Sequence, residues 1–374
     1  MILSFIIAVG LLTALWNRYY RRCFAGNITA RLMFDTDALY AGDETKLYEV
    51  IENQGATPVP VLEVGFHTKK GLDFAGSDNT SISDYIYKRD IFAAAGRQKI
   101  TREIPVKCPR RGYYEIRETE LVTYSLLYRK RLGRTLACGA AIHVYPGNTH
   151  VSDILPLCQR MLGTAQCARR LYEDPFAFRA IRDYTINDPM KTINWKASAK
   201  TGNLMVNTFD STLSRKAMLY LDVEDSGILK YPDLTEESIS LAATLARRLT
   251  RQGIEVGFCF NGGKAAALEN GFAPTNKKDL LIRMEHMLAE YLPENGTHSY
   301  ETEIRGYAAM ADTVQIFITK NLTSALYGMI KKYAVESQTL IICPVYRGEA
   351  PPKDVFPGGS RENIRILIRE VDRE

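Results

Sequence analysis

The hydrophobic pattern changes character several times along the chain. Met1 to Trp16 is almost unbroken apolar sequence, interrupted only by Ser4, Gly10 and Thr13. Asn17, Arg18, Tyr19, Tyr20, Arg21 and Arg22 follow. Such a run predicts a transmembrane helix whose aromatic flank sits at the interface. The basic residues come after the apolar run rather than before it, which argues against a cleaved signal peptide. The positive-inside rule then predicts a single-pass anchor over residues 1–26 in the cell membrane, with everything beyond Arg22 cytoplasmic.

Residues 27–148 carry a strand pattern. Short apolar or alternating runs cover Thr29–Phe34, Lys46–Ile51, Val61–Phe66, Ile100–Val106, Tyr113–Leu121 and Ala137–Val144. Turn-forming clusters such as Ala41-Gly42-Asp43 and Asn53-Gln54-Gly55 separate them. Short strands at this spacing predict an immunoglobulin-like β-sandwich.

Residues 149–214 read as a linker with partial helical character, in which Ile154, Leu155, Leu157, Met161 and Leu162 mark an apolar face. From 215 to 374 strand and helix patterns alternate. Strands are expected at Ala217–Val223, Ile254–Phe260, Thr313–Thr319, Thr339–Tyr346 and Ile364–Val371, and helices at Thr235–Gln252, Lys277–Tyr291 and Leu322–Ala334. Asp233 and Glu236 have the spacing of an N-terminal capping pair. This alternation predicts a doubly wound, mostly parallel α/β sheet, so the chain as a whole reads as an α+β multidomain protein.

Composition narrows the function classes. With 48 basic and 43 acidic side chains the net charge is only +5, too little for a general nucleic-acid binder. The seven cysteines (23, 108, 138, 158, 167, 259 and 343) show no zinc or redox spacing and fit buried apolar positions in a reducing compartment. The five histidines show no metal-binding spacing, and no Gly-x-Ser-x-Gly nucleophile elbow occurs.

The segment from Phe176 to Asn207 is the densest in motif. It runs through Phe178, Ile181, Arg182, Tyr184, Asn187, Asp188, Lys191, Ile193, Asn194, Trp195, Lys196, Ser198, Ala199, Lys200, Gly202 and Leu204. This ordered pattern resembles the signature of domain of unknown function family 58. Asn187 replaces a usual glycine and Lys191 a usual arginine, so Lys191 offers a point charge rather than a planar fork. Asp183 lies within the same segment. The residues of the segment predict an internal role, with Arg182, Asp183, Asp188, Lys191 and Trp195 locking it onto the C-terminal sheet. Trp195, between Ile193 and Ala197, is expected to be packed.

In open α/β sheets ligands lie at the carboxyl ends of the strands. The first C-terminal strand ends in Asp222-Val223-Glu224-Asp225-Ser226. The layout resembles a von Willebrand factor A-like domain, whose metal site reads Asp-x-Ser-x-Ser. Asp222 and Ser226 match, and Glu224 stands in the middle serine's place. Thr319 fits a later loop of such a site, while Lys320 occupies an expected aspartate. Asp222, Glu224, Ser226 and Thr319 are therefore a degenerate candidate set for Mg²⁺, opposed by the Lys320 ammonium.

Two functions follow. The first is a non-enzymatic, membrane-tethered protein-interaction module that requires no cofactor. The family resemblance implies partners for it: a MoxR-type AAA+ ATPase and a transglutaminase-like membrane protein, in assembly, maturation or cell-envelope processes. The alternative is a Mg-dependent hydrolase of phosphate esters built on Asp222, Glu224 and Asp225, with Lys191 and Lys196 binding the anion.

Overall fold

The computed structural model describes residues 2–75, 80–82, 85–125, 131–169, 178–186, 188–209, 215–225, 230–263, 271–307, 313–333, 337–349 and 363–373. Two compact units emerge: Met1–Asn148 with Glu285–Tyr291, and Thr149–Met284 with Leu292–Glu374.

Among the described residues of the first unit, helix α1 (Ile2–Asn27) leads into ten strands. These are β1 (Ile28–Phe34), β2 (Ala38–Tyr40), β3 (Glu44–Asn53), β4 (Val59–Lys69), β5 (Asp73–Phe74), β6 (Thr80–Ile82), β7 (Tyr85–Ala94), β8 (Lys99–Lys107), β9 (Gly112–Tyr124) and β10 (Arg131–Tyr145). One sheet has the order β1-β3-β8-β5 and the other β2-β10-β9-β4-β7-β6. Pairing is antiparallel except between β2 and β10.

The expected organisation needs correction. β-Sheet dominates, and among the described residues no helix is long and apolar enough to cross a membrane. The single-pass membrane localisation falls with it. The apolar run from Ile2 to Trp16 extends only about 22 Å at helical rise, against a hydrocarbon core of about 30 Å. The second half of α1 belongs to the sandwich instead. Tyr20 and Phe24 are buried with Ile28, Ile51, Leu62, Val64 and Leu121, and the Tyr20 hydroxyl meets Thr123 Oγ1 at 3.2 Å. The first half leaves Leu3, Phe5, Ile6, Leu11, Leu12 and Leu15 exposed.

The sandwich interior holds a polar layer. Along β3 the inward positions read Thr45, Leu47, Glu49, Ile51 and Asn53. Leu47 lies in one apolar cluster and Ile51 in another, so Glu49 falls between them. Other strands repeat the arrangement. Lys88 and Asp90 separate Ile86 from Phe92 on β7, and Thr119 separates Ile116 from Leu121 on β9, while the exposed Arg102 of β8 lies at the rim of the layer. Lys88 and Asp90 are almost fully buried and 3.8 Å apart, and Arg102 reaches Asp90 at 3.0 Å. Neither Glu49 oxygen has a hydrogen-bond partner. Slipping any one strand by a residue would turn this layer outward, so the layer penalises wrong registers.

The second unit contains α2 (Ile154–Arg169), β11 (Phe178–Asp183), α3 (Trp195–Thr201), β12 (Met205–Phe209), β13 (Lys216–Leu221), α4 (Pro232–Arg251), β14 (Glu255–Phe260), β15 (Gly271–Thr275), α6 (Tyr300–Tyr307), β16 (Val314–Ile318), α7 (Ser324–Tyr333), β17 (Thr339–Tyr346) and β18 (Ile364–Val371), while α5 (Lys278–Glu290) spans the division. Its large sheet has the order β15-β14-β13-β16-β17-β18. Five strands are parallel, and β15 joins as an antiparallel edge. β13 and β16 are buried along most or all of their length, as central parallel strands require. Met218, Tyr220, Phe317, Ile341 and Cys343 pack with Tyr300 and Ile304 of α6 and with Leu326, Tyr327 and Ile330 of α7. Tyr220 and Phe317 stack with ring centroids 4.5 Å apart.

The capping pair is also corrected. α4 begins at Pro232, so Asp233 and Glu236 already lie inside it. Proline supplies the helical φ at the first position, where no amide hydrogen is needed. A separate ribbon of β11 and β12 stands outside the large sheet. The von Willebrand factor A-like assignment is not supported. The edge that would carry its metal signature is built differently, as described below.

Burial first, and then the neighbouring Asp90 carboxylate, raise the Glu49 pKa to about 7, opposed by Arg102 and Lys88. Between the ordinary value of 4.5 and about 7, the folded chain retains a proton that the unfolded chain has released. Stability therefore falls as pH rises through that window. The expected loss is at most about 3 kcal/mol. Urea unfolding of the full-length Glu49→Gln variant should show a gain of roughly 1–3 kcal/mol over the parent at pH 8 and little gain at pH 5. Equal effects at the two pH values would refute this account of the layer.

Candidate functional site

Asp222 follows β13, Asn261 follows β14, and Thr319, Lys320 and Asn321 follow β16. β14 and β16 flank β13 on opposite sides, so these three loops meet where the chain order reverses. That is the position where an open parallel sheet opens a crevice. Here the crevice is filled by the protein's own groups.

The Asp222 side chain is 2% exposed. Its Oδ1 accepts hydrogen bonds from Asn261 Nδ2 at 2.8 Å and from the Glu224 amide at 3.0 Å. Its Oδ2 accepts from Thr319 Oγ1 at 2.7 Å and from Asn321 Nδ2 at 3.0 Å. A carboxylate offers about four lone-pair directions, so all are in use. The amide orientations are fixed by second contacts. Asn261 Oδ1 accepts from the Val223 amide at 2.8 Å, and Asn321 Nδ2 also donates to the Glu224 carbonyl at 2.7 Å. Each asparagine therefore turns its NH₂ group, which cannot ligate a metal, toward Asp222.

The Lys320 side chain, 3% exposed, places Nζ 2.5 Å from Asp225 Oδ1 and donates to Thr235 Oγ1. Glu224 titrates above the ordinary glutamate value because of burial and then the Asp222 charge, with Lys320 opposing. The residues present do not fit a divalent cation. The site's central carboxylate is saturated by donors, and an ammonium neutralises the next one. Among the described residues no group of three histidine, cysteine or acidic side chains has metal-binding geometry. Of the candidate set, Asp222 and Thr319 hydrogen-bond directly and Glu224 contributes its backbone, while Ser226 lies outside the described residues.

The signature segment builds a second, self-contained structure. Arg182 clasps Asp188 with both terminal nitrogens, at 2.7 and 2.6 Å, and donates to the Asp183 carbonyl at 3.0 Å. Asp188 also accepts from the Thr185 amide at 2.8 Å and the Thr185 hydroxyl at 2.7 Å. Asn194 caps α3 by accepting from the Ala197 amide at 3.0 Å, while its Nδ2 reaches Asn207 Oδ1 at 2.7 Å. Ser198 Oγ donates to the Asn194 carbonyl and accepts from the Met205 amide at 2.9 Å. Gly202 ends α3 at φ 76°, a conformation that favours glycine. The Tyr184 amide bonds to the Leu204 carbonyl, tying β11 to the return strand. Asn187 lies outside the described residues.

Two expectations change. The Arg182–Asp188 clasp closes a turn within the segment rather than fastening it to the large sheet. Trp195 is 66% exposed, because among the described residues of this module only Ile193 and Val206 are buried and the first turn of α3 carries the indole outward. Lys191, Lys196 and Lys200 are exposed as well. Sequence reasoning missed Asn261 and Asn321. Their signal was position, each lying just beyond the end of a buried strand.

Cys108, Cys158 and Cys343 are not activated nucleophiles. Burial pushes Cys158 up to about 12 and Cys343 to about 11, and burial with nearby acidic groups pushes Cys108 to about 11. Such thiols hold little thiolate at neutral pH.

Residues 180–342 match the family described as Protein of unknown function DUF58. The matched stretch takes in most of the signature ribbon and the sheet from β13 to the middle of β17. Solved structures give only partial likenesses to the chain. The CARDB domain of the PF1109 protein from Pyrococcus furiosus is 10% identical over 30% of this chain and 87% of its own, with a TM-score of 0.20. A non-cellulosomal cohesin from Archaeoglobus fulgidus is 9% identical over 34% and 97%, with a TM-score of 0.20. BslA, a bacterial hydrophobin, is 12% identical over 32% and 94%, with a TM-score of 0.21. These scores are too low to define a fold. The search of curated proteins gives no match.

Arg182 first, then the Thr185 hydroxyl and amide, hold Asp188 well below the ordinary value of 3.8. A depressed carboxylate contributes stability that is complete above its unfolded pKa and fades as pH falls through the folded one. Asp188→Asn should therefore lower the melting temperature at pH 7, with the gap to the parent narrowing progressively as pH falls below about 3.8. Lys320→Met, which leaves Asp225 without its cation, should cost roughly 1–3 kcal/mol in urea unfolding. A Lys320→Met variant as stable as the parent would show that the ammonium does not close the edge.

Proposed function

We propose that this chain is a non-enzymatic protein-interaction module. One observation carries the reading. The strand-end crevice where an α/β protein would hold a metal or substrate is closed by Asp222, Asn261, Thr319, Lys320 and Asn321 bonding to one another. An active site needs unsaturated groups aimed at a substrate, whereas here donors and acceptors are spent internally. The two-unit organisation and the exposed signature ribbon support a binding role. The partner we propose is the one the resemblance of the signature segment implies, a MoxR-type AAA+ ATPase, with a role in assembly, maturation or envelope processes.

The hydrolase alternative requires Asp222, Glu224 and Asp225 to ligate a cation, which would break at least one of the four bonds to Asp222 and displace Lys320. Mg²⁺, Mn²⁺ and Ca²⁺ should leave the melting temperature of the purified chain unchanged. Phosphate esters should not turn over, and the chain should form a complex with a MoxR-type ATPase in sedimentation. Metal-dependent ester hydrolysis that disappears in Asp222→Ala would overturn the reading.

A further inference from the structure

The signature residues divide into two groups with different fates. Arg182, Asp188, Asn194, Ser198 and Gly202 spend their polar atoms or backbone freedom on holding the ribbon. Trp195, Lys196 and Lys200 take no part in that work and are exposed. Helical geometry places the second group together. At about 100° per residue, Trp195, Ala199, Lys196 and Lys200 fall within an arc of about 140° on α3. All four are exposed, whereas Ala197 and Ser198 on the other side are partly covered and bond to Asn194 and Met205.

We infer that this face of α3 docks an acidic peptide segment of a partner protein, with an apolar side chain of that segment seated on the Trp195 indole. The inference rests on the interaction-module reading and names its surface and ligand chemistry. Charge selects the occupant. Residues 178–209 carry five basic and two acidic side chains. One of those acids, Asp188, is already neutralised by Arg182. Lys191, Lys196 and Lys200 are left to meet a partner's carboxylates. An exposed tryptophan rimmed by cations has the make-up of an interface anchor, since tryptophan supplies large contact area at low entropic cost. The clasp and the asparagine cap hold the helix in place before binding, which lowers the ordering cost of association.

The test uses fluorescein-labelled synthetic peptides and the full chain, read by anisotropy. The peptides are a glutamate-rich peptide with two leucines, the same peptide without leucine, and a lysine-rich counterpart with leucine. Phosphatidylserine vesicles form a separate arm. The glutamate–leucine peptide should bind, weaken with added salt, and outcompete both control peptides. Trp195→Ala, and separately Lys196→Glu with Lys200→Glu, should each reduce affinity at least tenfold without changing the melting temperature, because among the described residues these exposed side chains make no hydrogen bond or ion pair. No binding by the glutamate–leucine peptide, equal binding by its lysine counterpart, affinity unchanged in both variants, or binding to vesicles alone would each overturn the proposal. The metal and turnover assays above are independent of this result.

Discussion

The organisation of the C-terminal sheet depends on how Asp222 is satisfied. An almost fully buried carboxylate is costly unless each of its acceptor directions finds a donor. Here one donor is local, the Glu224 amide two residues on, and the other three come from the loops after β14 and β16. The same bonds therefore fix the positions of three loops relative to β13. Lys320 extends the network to Asp225 and to Thr235 on α4, so the first turn of that helix is tied to the strand ends. An ammonium and two side-chain amides stand where a catalytic site would keep open coordination or an aimed nucleophile.

The sandwich solves a related problem with less complete satisfaction. Its layer of Glu49, Lys88, Asp90 and Thr119, met by the exposed Arg102, divides two apolar clusters, and the Glu49 oxygens remain without hydrogen bonds. Coulombic attraction from Arg102 and Lys88 only partly offsets the desolvation of Glu49. The physical trade is stability at neutral pH against a strand register that the polar layer pins from several strands at once.

Much of this was legible in the sequence, though unevenly. The apolar run Ala217–Val223 marked a strand seen at Lys216–Leu221, and Thr339–Tyr346 is a strand over that same range. Continuous burial leaves a plain apolar run, which is the easiest pattern to read. Lys320 was legible as an obstacle to a cation because its position beside Thr319 was visible. Its pairing with Asp225 and Thr235 was not, since that depends on where two distant loops come to rest. The N-terminal helix misled because periodicity and charge at Met1–Arg22 say nothing about Tyr20 and Phe24 packing into the sandwich. Trp195 misled because its apolar neighbours Ile193 and Ala197 suggested burial, whereas α3 turns its indole to solvent. The alternation Leu47, Glu49, Ile51 did place a carboxylate on an inward face, a signal that strand periodicity alone could have exposed.

A crystal structure of the chain grown with Mn²⁺, examined for anomalous scattering at the ends of β13 and β16, tests the central claim most directly. The account predicts no manganese bound to Asp222, with Thr319, Asn261 and Asn321 still hydrogen-bonded to its carboxylate and Lys320 on Asp225. Manganese coordinated by Asp222, with Lys320 swung away, would contradict it.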